Sequence, residues 1–384
     1  MIITATRKIP NQEVADFAWN RIAQFHNLNY TTEVLIKLHN LPKKHHSNAK
    51  KQSEQIRYCL LQAREYFDSA KAVSLATRPV LLYYCVMSLA LAEILLKQDA
   101  ESRLEKLRES HGAHGLSLLI SSDPLPSDTF EEAASKLSAN VQIGANKSPK
   151  GTFEVWRRSA REYPVAGNVQ TLVSGGTLSS FSSLLIPADK EMSMPSSNKI
   201  SLLDCVTNLP YLADVLGRWG SELQMIRSKV VRIVDQNNAG ALPVLQITVH
   251  PSKSHLIDQF GNLVKAHSWL VNYIDIHEFP SGYVLSLREL NAPYHMELPH
   301  AVCISDEDVF FSCGDNQLGE FGNLYVSLNI LGNFARYYPD KWMPNIEKNS
   351  AFANVVEELC ANAFKRLPLL TLSELSRTYH VLEK

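Results

Sequence analysis

Thr77–Leu96 reads TRPVLLYYCVMSLALAEILL, and between Val80 and Ala92 only Ser88 interrupts the apolar residues. Thr77 is a good N-cap, and Pro79 sits in the first turn, where a missing N–H costs nothing. A helix without a polar face has to be surrounded by other elements. The apolar run is shorter than the ~20 residues needed to cross a bilayer, and Glu93 is read as closing it. The stretch therefore predicts the central helix of a helical core, with no membrane as partner.

Its flanks support that reading. Gln52–Ala76 carries Ile56, Leu60, Ala63, Phe67 and Ala70 at helical spacing, an amphipathic face able to pack on the apolar helix as an antiparallel hairpin. Upstream, Asn11–Leu41 has Val14, Phe17, Ala18, Ile22 and Phe25 three and four residues apart, with a second pattern at Val34–Leu38. Lys43, Lys44, Lys50 and Lys51 mark a basic linker between them. Downstream, the charged segment Glu101–Glu109 predicts a helix ending at Gly112 and Gly115, with Gly112 as its left-handed cap. Leu116–Ile120 is read as a short strand, and Ser121–Ser127 as a loop.

After Gly144 the texture changes. Gly151–Val165, Thr177–Ile186, Pro243–Val249 and Tyr283–Leu287 carry β-rich patterns, with a helix broken by Pro210 over Leu202–Gly217 and a turn at Gln236–Gly240. The C-terminal part returns to helix over Phe321–Tyr337, Ser350–Lys365 and Ser373–Leu382. The fold class is thus α+β: a mainly helical core built from both ends of the chain around a β-rich middle. The expected regions are 1–143, 144–290 and 291–384.

A formal net charge of −1 exerts no global pull on nucleic acid, so any such contact has to come from a local patch. The best basic cluster is Arg157, Arg158 and Arg161 beside Trp156. The six cysteines form no CxxC and no zinc-ligand spacing, which predicts reduced core thiols and no metal or other cofactor. No apolar segment follows Arg7 and Lys8, so no secretory leader and a cytoplasmic location are expected. No phosphate-binding loop, nucleophile elbow or zinc-protease sequence occurs.

The hairpin resembles a known family. Arg64-Glu65-Tyr66-Phe67, then Leu75-Ala76-Thr77-Arg78-Pro79 through Tyr84, with Met87 and Leu89-Ala90, is similar to the bacterial YaaC-like family. His114-Gly115-Leu116 and the segment Leu328–Pro339 with Trp342 fit it as well. The resemblance implies a bacterial cytosolic protein, in some cases in a phage-defence setting, and it supplies no activity. A looser resemblance is to HEPN domains, helical bundles marked by an Arg followed after four to six residues by a His; Arg108 and His114 fit. With 13 histidines in the chain, roughly two such matches arise by chance. Three occur, at Arg21–His26, Arg108–His114 and Arg288–His295, so only the position of the second, at a helix end after the hairpin, singles it out.

Three functional expectations follow. In the first, the chain is a scaffold for a protein partner or another copy of itself, because its recognisable motifs are packing motifs. In the second it is a HEPN-like, metal-independent ribonuclease: His114, with His111 nearby, acts as acid or base and Arg108 holds the phosphate. In the third it binds a nucleotide or small molecule through Arg78, Arg336, Tyr337 and Trp342, a set that joins cations to aromatic rings.

Overall fold

A computed structural model describes residues 5–97, 104–105, 113–145, 147–159, 165–185, 199–238, 240–241, 243–250, 254–266, 274–279, 282–288, 301–305, 307–314 and 318–384. The N-terminal helices are α1 (Val14–Ile22), α2 (Leu28–Leu38), α3 (His46–Ala72) and α4 (Arg78–Lys97). Asn11–Leu41 divides into α1 and α2 around a 3-10 turn, and the Asn27 side chain accepts from the Tyr30 N–H to start the second helix. α3 begins at His46, so Lys50 and Lys51 are helical rather than part of a linker. Its expected inward face holds: Ile56, Leu60, Ala63, Phe67 and Ala70 are all fully buried.

The apolar stretch is α4, and it passes Glu93 to end at Lys97. Glu93 does not mark an exposed helix end. It lies inside the core, where Lys97 Nζ is 3.7 Å from Glu93 and 2.8 Å from Glu374, and Trp156 Nε1 donates to Glu93 at 2.9 Å. A buried charge survives only when partnered in this way. By length and composition α4 could cross a membrane, but 72% of its apolar window is buried inside the protein.

The remaining helices are α5 (Phe130–Ser135), α6 (Thr152–Ser159), α7 (Leu202–Thr207), α8 (Ala213–Arg218), α9 (Ser254–Ala266), α10 (Gly319–Tyr337), α11 (Pro339–Glu347) and α12 (Ala351–Ser376). α3, α6, α10 and α12 pack around α4, so both ends of the chain build the helical core. α7 and α8 flank a 3-10 turn at Pro210, so the helix expected to be kinked or double there is two short helices. Two further expectations fail. Gly151–Val165 is not β-rich over its first part, which forms α6; Phe153 and Trp156, three residues apart, face the core from a helix. Ser373–Leu382 is not one helix, because Arg377 takes a left-handed conformation (φ 58°) after Ser376 and stops α12. Thr378–Leu382, a Thr-Tyr-His-Val-Leu run suited to an extended backbone, then forms a strand.

That last strand, β13, pairs in parallel with β1 (Ala5–Ile9), joining the two ends of the described chain. β2 (Leu116–Ile120), β3 (Leu137–Val141) and β6 (Lys199–Ser201) form a small antiparallel sheet. The β-rich middle supplies most of an eight-stranded sheet in the order β11-β12-β7-β8-β10-β9, with β4 and β5 joined to it through β7. Its strands are β4 (Val165–Val173), β5 (Gly176–Leu185), β7 (Met225–Asp235), β8 (Val244–Val249), β9 (Ile274–Phe279), β10 (Gly282–Arg288), β11 (Ala301–Cys303) and β12 (Val309–Ser312). β7 is long enough to pair with β12 over Met225–Ser228 and with β4 over Val231–Asp235. All six cysteines are buried and free.

Candidate functional site

His114 precedes β2 and is held by an unusual backbone contact. Gly115 (φ +90°) and Gly151 (φ +97°) pack directly on each other, and a Cβ on Gly151 would lie 2.4 Å from the Gly115 backbone. Only glycine tolerates both the left-handed conformation and this approach. The carbonyls of Ala113 and His114 accept from the N–H groups of Thr152 (2.9 Å) and Phe153 (3.2 Å), so they cap the N-terminus of α6. The sequence places His114 at the end of the preceding helix; the structure clamps it to the start of the following one.

The side chain meets α4 and α10. Its Nδ1 lies 2.9 Å from the Tyr83 hydroxyl and 3.3 Å from Met87 Sδ, and its ring centroid is 5.7 Å from Tyr83 and 6.5 Å from Tyr84. From α10, Arg336 Nη1 donates to the Tyr84 hydroxyl at 2.8 Å, while Tyr66 of α3 stacks on Tyr84 at 5.4 Å. Behind Tyr83 stands Asn329 of α10, 1% exposed, with no hydrogen bond on either amide atom, yet near enough to act on the Tyr83 phenol. α10 approaches this closely because Gly332 faces Tyr83 and the Pro79 carbonyl, each 3.1 Å from where a Cβ would stand.

The electrostatics suit acid–base work. Burial, reinforced by Arg336, holds the His114 imidazole below its ordinary value, so it is neutral at pH 7. Burial raises Tyr83 well above the usual phenol range, against the smaller opposing effect of Asn329, so its hydroxyl keeps its proton. Donated to Nδ1, that proton leaves His114 with Nε2–H. In the other tautomer Nδ1–H donates to the Tyr83 oxygen and Nε2 is free as a base. His114 itself is exposed, and among the described residues Nε2 has no hydrogen-bond partner.

The residues singled out from sequence do not all gather here. Arg108, His111, Gly112 and Arg161 lie outside the described residues. Arg336 joins His114, and its guanidinium lies over the exposed Tyr337 ring at 5.1 Å. Arg157 is not a solvent-facing cation: it is buried, and its Nε and Nη2 donate to Glu154 at 2.9 and 2.8 Å. Arg158 is exposed, whereas Trp156 is a core side chain. Trp342 is likewise core, 1% exposed, edge-on to Phe334 and Phe352. Arg78 donates to the Val73 carbonyl at 2.9 Å and lies 3.9 Å from Glu357. Among the described residues no group of His, Cys, Asp and Glu could hold a metal ion.

Sequence reasoning missed Tyr83, Tyr84, Met87 and Asn329 as members of a site. A signal was present in α10, where Asn329, Asn333 and Arg336 recur four and three residues apart, with Gly332 among them. A polar stripe of that kind on a core helix marks a face turned to something other than lipid-like packing.

No curated protein and no solved structure matches the chain. A family model does match, over a segment that carries Tyr66, Tyr83, Tyr84, Met87 and His114 but not Asn329 or Arg336. Residues 23–124 match the family described as YaaC-like Protein, and over that segment the chain is similar to it.

Proposed function

We propose that the protein cleaves RNA without a metal ion, as part of a prokaryotic, phage-defence setting, with His114 as the acid–base group. The observation that carries this is an exposed imidazole held at 2.9 Å by the buried Tyr83 hydroxyl, next to Tyr84, whose own hydroxyl accepts from the exposed Arg336 guanidinium. In this reading Arg336 takes the phosphate-holding role that the sequence offered to Arg108. Nε2 accepts the proton of a 2′-hydroxyl as that oxygen attacks phosphorus; the bond to the 5′-oxygen breaks, and the proton passes from Nε2 to that oxygen. Arg336 stabilises the negative charge that develops on the phosphoryl oxygens.

The test is incubation with total RNA, with and without EDTA, beside His114→Ala and Arg336→Ala. Cleavage should survive EDTA and fall by about 10²-fold or more in His114→Ala, with an unchanged melting temperature. Cleavage that persists in both variants, or stops with EDTA, overturns the reading.

The scaffold reading draws on a different observation. Tyr337, Tyr338 and Met343 are 61%, 39% and 37% exposed at the corner between α10 and α11, and exposed aromatics beside an arginine are typical anchors for a protein partner. It predicts a stable assembly on purification with its native partner, lost in Tyr337→Ala; a monomer that captures no partner counts against it.

A further inference from the structure

Away from His114, a pocket of about 310 Å³ opens between the end of α8 and the N-terminal half of α12. One wall is Arg218 and Trp219, the other is Asn354, Glu357 and Glu358, and Val215 forms part of the lining. Trp219 is held in place by a tight helix stop. Gly220 turns with φ +74°, and the Ser221 N–H donates back to the Leu216 carbonyl at 2.9 Å, which leaves the indole 41% exposed.

The charges across this pocket do not meet. Glu357 is approached by Arg78 at 3.9 Å, and Glu358 Oε1 accepts from Asn362 at 3.0 Å. Arg218 lines the same pocket yet pairs with neither carboxylate among the described residues. Opposite charges held apart across a gap favour a ligand that carries both signs at its own two ends. A divalent cation would meet the Arg218 guanidinium, and a simple anion would meet two carboxylates. With Arg78 behind Glu357 the local charge balances to zero, which suits a neutral zwitterion.

We propose that this pocket binds a free α-amino acid. Its carboxylate pairs with Arg218, its ammonium with Glu357 and Glu358, and an apolar or aromatic side chain lies on the Trp219 ring. The volume falls at the small end of the ordinary range for ligand pockets, which starts at about 300 Å³. The proposal is independent of the RNA-cleavage reading, since no residue is shared with the His114 site.

The experiment is calorimetric titration of the full chain with L-leucine, L-phenylalanine and L-glutamine, alongside N-acetyl-L-leucine and L-leucinamide, each of which lacks one charge. At least one amino acid should bind with a Kd below about 1 mM, and both blocked analogues should bind at least about tenfold more weakly. Arg218→Gln and Trp219→Ala should each weaken binding by a similar factor while melting at the wild-type temperature. Absence of heat from all three amino acids up to about 10 mM overturns the proposal. So does equal binding of either blocked analogue, or binding that Arg218→Gln leaves unchanged. RNA cleavage by the same preparation is unaffected by any of these results.

Discussion

Gly332 shows how one missing side chain sets the geometry around His114. It lies in α10 where that helix meets α4, with the Tyr83 Cβ and the Pro79 carbonyl 3.1 Å from the position of a would-be Cβ. A methyl group there fits only if α4 and α10 give by a few tenths of an ångström. Gly332→Ala should destabilise the protein by about 1–3 kcal/mol, measured by urea unfolding, even though alanine is the better helix former. The same separation should weaken the contact of Arg336 with Tyr84, so cleavage should fall further than stability alone explains. A Gly332→Ala protein as stable as the wild type would show that the helices are free to move apart. Tyr83 was readable from sequence only as an apolar-helix residue, since nothing local says that its hydroxyl would reach His114.

At the scale of elements, buried ion pairs lock core helices to one another. Arg366 of α12 donates to Glu320 of α10 at 2.5 and 2.7 Å, with both side chains at most 5% exposed. Arg366→Met leaves Glu320 charged and unpaired in the interior, which should cost about 3–5 kcal/mol. Pairing it with Glu320→Leu removes both charges, and the double variant should recover most of that loss in chemical denaturation. Failure to recover would mean that the pair does more than neutralise itself. The Lys97, Glu93 and Glu374 group does the same between α4 and α12, and there burial and Glu374, outweighing Lys97, push the Glu93 carboxyl up to about 7. The helices themselves were legible, because a buried face repeats every three or four residues and needs no distant information. The extent of α4 was not, since Glu93 looks like a helix end until Trp156 and Lys97 are seen around it.

For the molecule as a whole, the pairing of β1 with β13 couples the chain ends to pH. His380 of β13 packs edge-on against Phe17 at 6.0 Å, with Ser373 Oγ 3.3 Å from Nδ1. Burial, together with Arg7 and Arg21, lowers the imidazole from 6.5 to about 4, against a smaller upward effect of the Thr378 backbone. The folded protein therefore keeps His380 neutral, while the unfolded chain takes up a proton below 6.5. Its contribution is complete above pH 6.5 and is lost as pH falls towards 4, to a total of roughly 3 kcal/mol. Glu93 acts in the opposite sense: its folded-state carboxyl is raised from 4.5 to about 7, so its contribution is greatest below pH 4.5 and declines as pH rises to 7. Unfolding curves of His380→Gln should have a shallower acid limb between pH 6.5 and 4. An acid limb as steep as the wild type would assign the loss to other groups.

The sequence by itself determined the α+β class, the hairpin of α3 and α4, and the return to helix near the C-terminus, because hydrophobic period, caps and turn residues act over one or two turns of chain. It could not determine who meets whom. Arg336 and Tyr84 stand 252 residues apart, and Trp156 and Glu93 stand 63 apart. Such contacts depend on how packed helices cross, and no local pattern encodes that. Tertiary structure therefore decided that Arg157 and Trp342 are interior, that β1 pairs with β13, and that His114 meets Tyr83 while Arg336 meets the neighbouring Tyr84.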